Sequence, residues 1–456
     1  AATDGSSAVL AACDPTSNLQ EWDLRTDGTV RLVNGGRCLA AVGGAPTAPL
    51  TVRNCVANSA EQQFLLTGQA QLRGPNATCV KATGTALSIQ NCANDSNMLQ
   101  WSMQFHPAVF TGITTGYTDA AIPNNAAYFG TIDFADVDGD GDGDVCSRRA
   151  GGIYCAMYNP GTKTFTGDAL RIAQFRDVDG YNLPQYGSTV QLGRVNNDAR
   201  ADVCGRGITG IWCANWNNAT GLFDSYSNRT SAFSDAALWG TSVNYYGSIR
   251  LVDVNGDGKD DVCGRGVSGI ECALNNGSGT FASTTTNWIN TEFTDALGWN
   301  APEHATTIQF GDIDGDGKVD VCGRGITGLS CALGNGTNKF EHAHIWTNDF
   351  SNSGAWNTNP AYYRSIRLAD VNGDGKADAC GRGADGLFCA FSTGTTFAPV
   401  AQVMTVNRYR DLDGWNAERY GTTLQFVKLD GDTHLDVCGR GPNPVNGVGI
   451  HCAYAP

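Results

Sequence analysis

No stretch of this chain is apolar for long enough to span a bilayer, although hydrophobic residues make up 41% of its 456 positions. Charge is scarce as well, with Asp, Glu, Lys and Arg together at 16%, and helical periodicity is almost absent. The basic side is the poorer one. Thirty Lys and Arg stand against 45 Asp and Glu, and the net charge of −15 would repel a phosphate backbone, so nucleic acid is not an expected partner. No Walker loop, zinc-ligand spacing or Ser/His/Asp or Cys/His nucleophile arrangement occurs. These absences leave a soluble, turn-rich protein with 58 glycines and no membrane span.

Cysteine is abundant. Seventeen of them at regular spacing point to an oxidising compartment. Six N-glycosylation sequons, beginning at Asn76, Asn94, Asn218, Asn228, Asn276 and Asn335, agree with a secreted, extracellular glycoprotein. The start, "AATDGSSAVL", reads as a mature, processed end.

From residue 106 onward the pairs Cys146/Cys155, Cys204/Cys213, Cys263/Cys272, Cys322/Cys331, Cys380/Cys389 and Cys438/Cys452 advance by 58 or 59 residues. Each unit runs from an apolar strand such as "SIRLVDV" through an acidic turn to "DVCGRG", a tight turn, "GIECAL", and a fourth extended stretch. Four short strands per repeat describe one blade of a β-propeller. In the first five units the cysteines lie nine positions apart around a turn, which predicts a disulfide inside each blade. The last unit ends just after its third strand, so residues near Pro107 to Ile113 are expected to complete it. The fold class is therefore all-β: a six-bladed propeller closed by both chain ends over 106–456, with seven blades as the alternative.

The acidic turn places oxygen ligands at positions 1, 3, 5 and 9 in four units. They are Asp136, Asp138, Asp140 and Asp144; Asp253, Asn255, Asp257 and Asp261; Asp312, Asp314, Asp316 and Asp320; and Asp370, Asn372, Asp374 and Asp378. Alternating carboxylates wrap a hard cation and the glycines permit the sharp turn, as in the first part of an EF-hand loop. Arg194 and Lys428 replace the first Asp in the other two units, where a fixed cation is expected to stand in for calcium. About four calcium ions are expected. On these motifs residues 106–456 resemble the FG-GAP/VCBS calcium-binding repeats of integrin-like and fungal-lectin propellers, and the resemblance implies that the ions are structural.

A second pattern lies at the blade boundaries. It sets an aromatic ahead of another ring in Tyr181/Tyr186, Trp239/Tyr245, Trp299/His304, Trp356/Tyr362 and Trp415/Tyr420, while the first unit has Ile122 with Tyr128. Such rings either pack between blades or stack on sugar faces beside Asp and Asn acceptors, and they are the candidate ligand-binding residues. Arg148, Arg206, Arg265, Arg324, Arg382 and Arg440 also recur and are read as structural, bridging to the Asp of "FSD" or "FTD". His304 and Asp133 depart from columns of Tyr and of Gln or Arg, and mark where an asymmetric catalytic site would sit.

Residues 1–105 repeat a different unit, ending in "QEWDL", "EQQFLL" and "LQWSM". With "RCLAA…VRNC" and "TCVKA…IQNC" this resembles the ricin-B β-trefoil, a carbohydrate-binding module, in which Cys38/Cys55 and Cys79/Cys92 would be internal disulfides. One QxW signature, Gln20 to Trp22, is intact, and the first unit is incomplete, which leaves Cys13 without its expected partner. The family's sugar-binding Asp is replaced by Ala40 and by Lys81, so the main hydroxyl acceptor is lost in both units.

The sequence therefore reads as a secreted multivalent lectin for glycans or polysaccharide, with a calcium-stabilised propeller. The alternative is a glycoside hydrolase or polysaccharide lyase with its active site on the propeller and the trefoil as binding module. No catalytic pair of carboxylates is identifiable. A protein-adhesion propeller is the third reading.

Overall fold

The chain forms two compact units, one comprising Ala1–Gln104 together with Ala455–Pro456 and the other Phe105–Tyr454. The computed structural model describes residues 6–8, 22–24, 30–32, 37–43, 48–56, 59–62, 64–66, 72–74, 78–83 and 86–91, then 116–403, 409–429, 434–443 and 447–455. Both units are all-β, as the patterning requires.

In the first unit Ser6–Ser7, Leu50–Asn54, Arg37–Ala41, Val30–Leu32 and Trp22–Leu24 lie side by side in one antiparallel sheet. A second sheet joins Leu65–Leu66, Leu72–Gly74, Thr78–Thr83 and Ala86–Asn91. The apolar members of these strands, among them Leu39, Leu50, Val80 and Ile89, meet in one core. The Cys38–Cys55 disulfide is formed. Cys13, Gln20, Cys92 and the side chains of Trp22 and Lys81 lie outside the described residues.

The second unit repeats one antiparallel meander. Sheet 1 is Asp133–Ala135, Asp144–Arg149, Gly152–Asn159 and Thr164–Ile172, and sheet 2 is Gln191–Gly193, Asp202–Gly207, Gly210–Asn217 and Leu222–Thr230. Sheet 3 is Arg250–Val252, Asp261–Gly266, Gly269–Ala273 and Thr286–Ile289, and sheet 4 is Gln309–Gly311, Asp320–Arg324, Leu329–Ala332 and His344–Thr347. Sheet 5 is Arg367–Ala369, Asp378–Gly383, Gly386–Ala390 and Ala401–Gln402, whereas sheet 6 has three described strands, Gln425–Val427, Asp436–Asn443 and Gly447–Ala453. Residues Pro107 to Ile113, expected to complete sheet 6, lie outside the described residues.

Local chemistry explains the meander. The hairpin between the second and third strands needs Gly269 at φ +117, where a Cβ would stand 2.0 Å from the Ile289 carbonyl. Opposite one another across that hairpin, Cys263 and Cys272 fall at Cα–Cα 4.1 Å and form a disulfide; the equivalent pair is bonded in all six sheets. The second strand is buried on both faces, so its apolar residues belong to cores shared with neighbouring sheets. Val203 and Trp216 of sheet 2 meet Ile153 and Ile172 of sheet 1. Val262 of sheet 3 meets Ile211 of sheet 2, and Val321 of sheet 4 meets Ile270 of sheet 3. Leu429, Cys438 and Ile450 at the chain's end meet Ile132, Phe134 and Val145 of sheet 1 in the same way.

Candidate functional site

The six recurring arginines are the largest fully buried side chains among the described residues, each 0% exposed. Burying a guanidinium is tolerable only when its N–H groups find acceptors. Arg265 donates from Nε to the Phe293 carbonyl at 2.7 Å and from Nη1 to the Asn244 carbonyl at 3.4 Å, and pairs through Nη2 with Asp295. Arg148, Arg206, Arg382 and Arg440 pair likewise with Asp177, Asp235, Asp411 and Asp119, which bears out their structural reading. In five of the six, the carbonyl the Arg holds belongs to an aromatic residue with positive φ: Phe175, Phe233, Phe293, Phe350 and Tyr409 lie between φ 57 and 61, while Arg440 holds the Tyr117 carbonyl. The left-handed region is costly for a bulky residue, and the buried Arg offsets that cost. Sequence patterning gave no sign of it.

The second ring of each boundary pair closes this clamp. Tyr186, Tyr245 and Tyr362 donate their hydroxyls to Asp235, Asp295 and Asp411 at 2.6, 2.7 and 2.5 Å, and Tyr128 and Tyr420 reach Asp177 and Asp119. Burial works against ionisation of Asp235, but hydrogen bonds from Tyr186 and Arg206 hold its carboxyl below the ordinary range. His304 has no hydroxyl; its Nδ1 bonds the Arg324 carbonyl at 2.9 Å, and the Asp of the clamp is Asn352 at this boundary. Burial pushes His304 below the ordinary imidazole range.

In the four pairs that begin with Trp, that first ring lies against the glycine after the first cysteine, whereas at Gly205 Phe175 and not Tyr181 takes this place. A Cβ at Gly264 would stand 2.8 Å from Trp239, at Gly323 2.5 Å from Trp299, and at Gly381 2.9 Å from Trp356. Trp415 stacks in the same manner on Gly439 and Gly441. The unit that carries Ile122 in place of the ring carries Ser147 in place of that glycine. Trp239, Trp356 and Trp415 are accordingly buried, with Tyr181, Tyr186, His304 and Tyr420, whereas Trp299, Tyr245 and Tyr362 are half-buried.

Between sheets 2 and 3 these rings edge a cleft of about 290 Å³. Trp239 and Tyr245 form one wall, Leu238 and Val267 the rim, and Glu271 with the Ser283–Thr285 hydroxyls the polar side. Leu238 and Val267 are 63% and 54% exposed. Glu271 accepts from Thr285 Oγ1 at 2.7 Å. Glu271 carries no repeat signal in the sequence, because the residue before the second cysteine differs in every unit: Tyr154, Trp212, Glu271, Ser330, Phe388 and His451.

Two of the four acidic turns bring three of their four expected oxygens, those of positions 1, 3 and 9, close together. Carboxylate oxygens of Asp136, Asp138 and Asp144 lie within 4.8 Å of one another, as do those of Asp312, Asp314 and Asp320, so each set can hold a cation. In the two turns with Asn at position 3, Asp253 accepts from Gly258 N at 2.7 Å and Asp370 from Gly375 N at 2.9 Å, which curls the loop identically. Asp140 accepts from Asp142 N in its own loop. Burial pushes Asp144, Asp261 and Asp320 up to about 7 and Asp378 upward, each partly relieved by backbone N–H donors. Lys259, Lys318 and Lys376 pair with Asp257, Asp316 and Asp374.

The turn begun by Arg194 differs from expectation. Arg194 is exposed and makes no ion pair among the described residues; Arg200 approaches Asp198 at 4.0 Å, and Arg229 acts on Asp202. The position-1 residue instead serves through its backbone: the carbonyls of Asp136, Arg194, Asp312 and Lys428 accept from Ala201, Asp260, Ala377 and Gly143 of the following unit at 2.6 to 2.8 Å. Any residue can supply a carbonyl, so this link tolerates Arg or Lys. His304 and Asp133 are not brought together. Asp133 lines a cavity at the first strands that His304 does not line. In the first unit Ala40, at the position of the expected acceptor, is buried.

Residues 1–101 match the ricin-type beta-trefoil lectin domain, and residues 253–323 and 312–380 match the FG-GAP-like repeat. No curated protein matches the chain. Among solved structures, a lectin of Agrocybe aegerita, described for specific recognition of non-reducing terminal N-acetylglucosamine, is 24% identical with a TM-score of 0.55, covering 84% of this chain and 88% of its own. That likeness shows a shared fold. An agglutinin of Abrus precatorius is 15% identical over 50% of this chain and 89% of its own, at a TM-score of 0.20.

Proposed function

We propose that this chain, a ricin-type β-trefoil lectin domain followed by FG-GAP-like repeats, is a secreted, multivalent carbohydrate-binding protein whose sugar sites lie at the seams between sheets. The observation that carries this reading is the cleft beside Trp239, which sets an aromatic edge, exposed apolar side chains, a carboxylate and hydroxyls around one opening. That combination suits a sugar, which has apolar faces and a rim of hydroxyls. Its lining includes one carboxylate, Glu271, where a glycosidase uses two flanking the scissile bond. The neighbour's ligand makes glycans ending in N-acetylglucosamine the first class to test, with Leu238 and Val267 offering apolar contact to an acetamido methyl.

In this reading the six sheets are blades of a closed β-propeller. Support comes from contacts that join the last sheet to the first: Gln425 Nε2 donates to the Ile132 carbonyl at 3.0 Å, Gly143 N to the Lys428 carbonyl at 2.7 Å, and the Tyr158 and Tyr454 hydroxyls meet at 2.7 Å. The first strands of all six sheets also bound a single cavity. The four acidic turns would hold structural calcium, and the disulfides suit an extracellular setting. The boundary rings hold the seams, and Trp239 and Tyr245 contribute their edges to the ligand.

A glycan array run with wild type and Glu271→Ala, beside a reducing-sugar assay on the bound glycans, tests this. Binding to terminal N-acetylglucosamine that weakens in the variant, with no sugar released, is expected. Failure to bind any glycan, or turnover of a bound one, would overturn it.

A further inference from the structure

The residues that line the cavity at the first strands form a ring of their own. Its members are Asp133, Gln191, Arg250, Gln309, Arg367 and Gln425, so glutamine alternates with a charged residue. Members of the ring tie their sheet to the next. Asp133 Oδ2 accepts from Leu192 N at 2.8 Å, Gln191 Nε2 donates to the Ile249 carbonyl at 2.8 Å, and Gln425 Nε2 to the Ile132 carbonyl. Arg250 and Arg367 do the same through Nη2, to the carbonyls of Thr306 and Thr422 at 3.4 and 3.0 Å. Glutamine performs this tie at two positions, so the tie alone does not call for arginine.

The arginines bring more donors than the tie uses. Arg250 Nη1 donates to the Gly247 and Ile249 carbonyls, and Arg367 Nη1 to those of Arg364 and Ile366, which fixes both guanidinium planes in the same pose. Three of five N–H groups are thereby committed on each, leaving Nε–H and one Nη2 hydrogen. Neither arginine forms an ion pair among the described residues. Asp133, the ring's carboxylate, accepts from the backbone N–H groups of Phe134 and Leu192, interacts with the Gln425 side chain, and attracts Arg367 through space without an ion-pair contact. Arg364, also on the cavity wall, is paired with Glu418 at 2.5 Å. In the ring two cations thus face one anion, inside a chain whose net charge is −15. Burial pushes Arg250 down to about 9, with the charges of Arg367 and Arg364 adding to it, and pushes Arg367 down to about 10.

We propose that this cavity of about 330 Å³ binds a small oxyanion, a phosphate, sulfate or carboxylate group, between the free edges of Arg250 and Arg367. Planar donor forks match such groups, and the anion would supply the charge the ring lacks. The site is separate from the seam cleft and does not depend on sugar binding there.

The test is calorimetric titration of the full chain with sodium phosphate, sodium sulfate and sodium acetate at constant ionic strength, with chloride as the balancing salt. Saturable binding of at least one is expected, and the anion preferred assigns a tetrahedral or a planar group. Arg250→Gln and Arg367→Gln place in the ring the residue it already carries elsewhere, so the sheet tie is kept. Each is expected to weaken binding roughly tenfold, and the double variant to abolish it. Asp133→Asn, which removes the opposing charge, should tighten it. No saturable binding of any of the three, affinity unchanged in the double variant, or weaker binding to Asp133→Asn would overturn the proposal.

Discussion

Five of the six buried arginines have a carboxylate beside them, and the fourth boundary shows what happens when the partner set drifts. There Tyr becomes His304 and Asp becomes Asn352, while Arg324 keeps its bond to the Phe350 carbonyl. The two changes belong together: without a tyrosine hydroxyl to donate, the carboxylate loses one of its two donors. His304 is buried and lies below the ordinary imidazole range, so the unfolded chain binds the proton more readily than the folded one. Stability from this site is therefore present above about pH 6.5 and lost as pH falls below it. His304→Tyr combined with Asn352→Asp restores the arrangement of the other boundaries. Thermal midpoints at pH 7 and pH 5 should show a smaller acid-side loss for the double variant than for wild type. An equal loss would show that His304 does not titrate with folding.

At the scale of one hairpin and its neighbouring ring, the glycine of "CGRG" and the Trp before it are two halves of one fit. Gly264→Ser would drive a Cβ into Trp239, at 2.8 Å before relaxation, and should cost about 1–3 kcal/mol. The first unit's own solution, Ser147 with Ile122, indicates the remedy. In a double-mutant cycle measured by urea unfolding, Gly264→Ser with Trp239→Ile should cost less than the two singles together, with coupling of about 1 kcal/mol or more. Strict additivity would mean that ring and glycine do not meet. Much of this element was legible in advance: cysteine spacing, turn glycines and the acidic loop are local signals that repeat. The positive-φ aromatics were not, since nothing in Phe293 or its flanking residues announces a left-handed backbone. The rings themselves were readable as a recurring pair, while their burial against glycine became plain only from the packing.

At the scale of the whole molecule, five of the six first-strand ring residues bond to the backbone of a neighbouring sheet, and in four units the carbonyl that opens the turn bonds to the next unit. Metal analysis after dialysis against calcium should return about four ions per chain, and three for Asp312→Asn combined with Asp316→Asn. Six ions, or none, would contradict the ligand assignment. The seam cleft between sheets 2 and 3 resisted reading for the opposite reason to the loops. What distinguishes this seam from the others is the residue before the second cysteine, Glu271 here and Trp212 or Phe388 elsewhere, and a column that never repeats carries no periodic signal. The central claim is that sugar is held at such a seam. Its most direct test is an equilibrium titration of the full chain with N,N′-diacetylchitobiose, comparing wild type with Glu271→Ala and Leu238→Asp. Saturable binding to wild type at more than one site per chain, with the seam between sheets 2 and 3 lost in both folded variants, is the predicted result. Binding that both variants retain unchanged, or no binding at millimolar sugar, would contradict it.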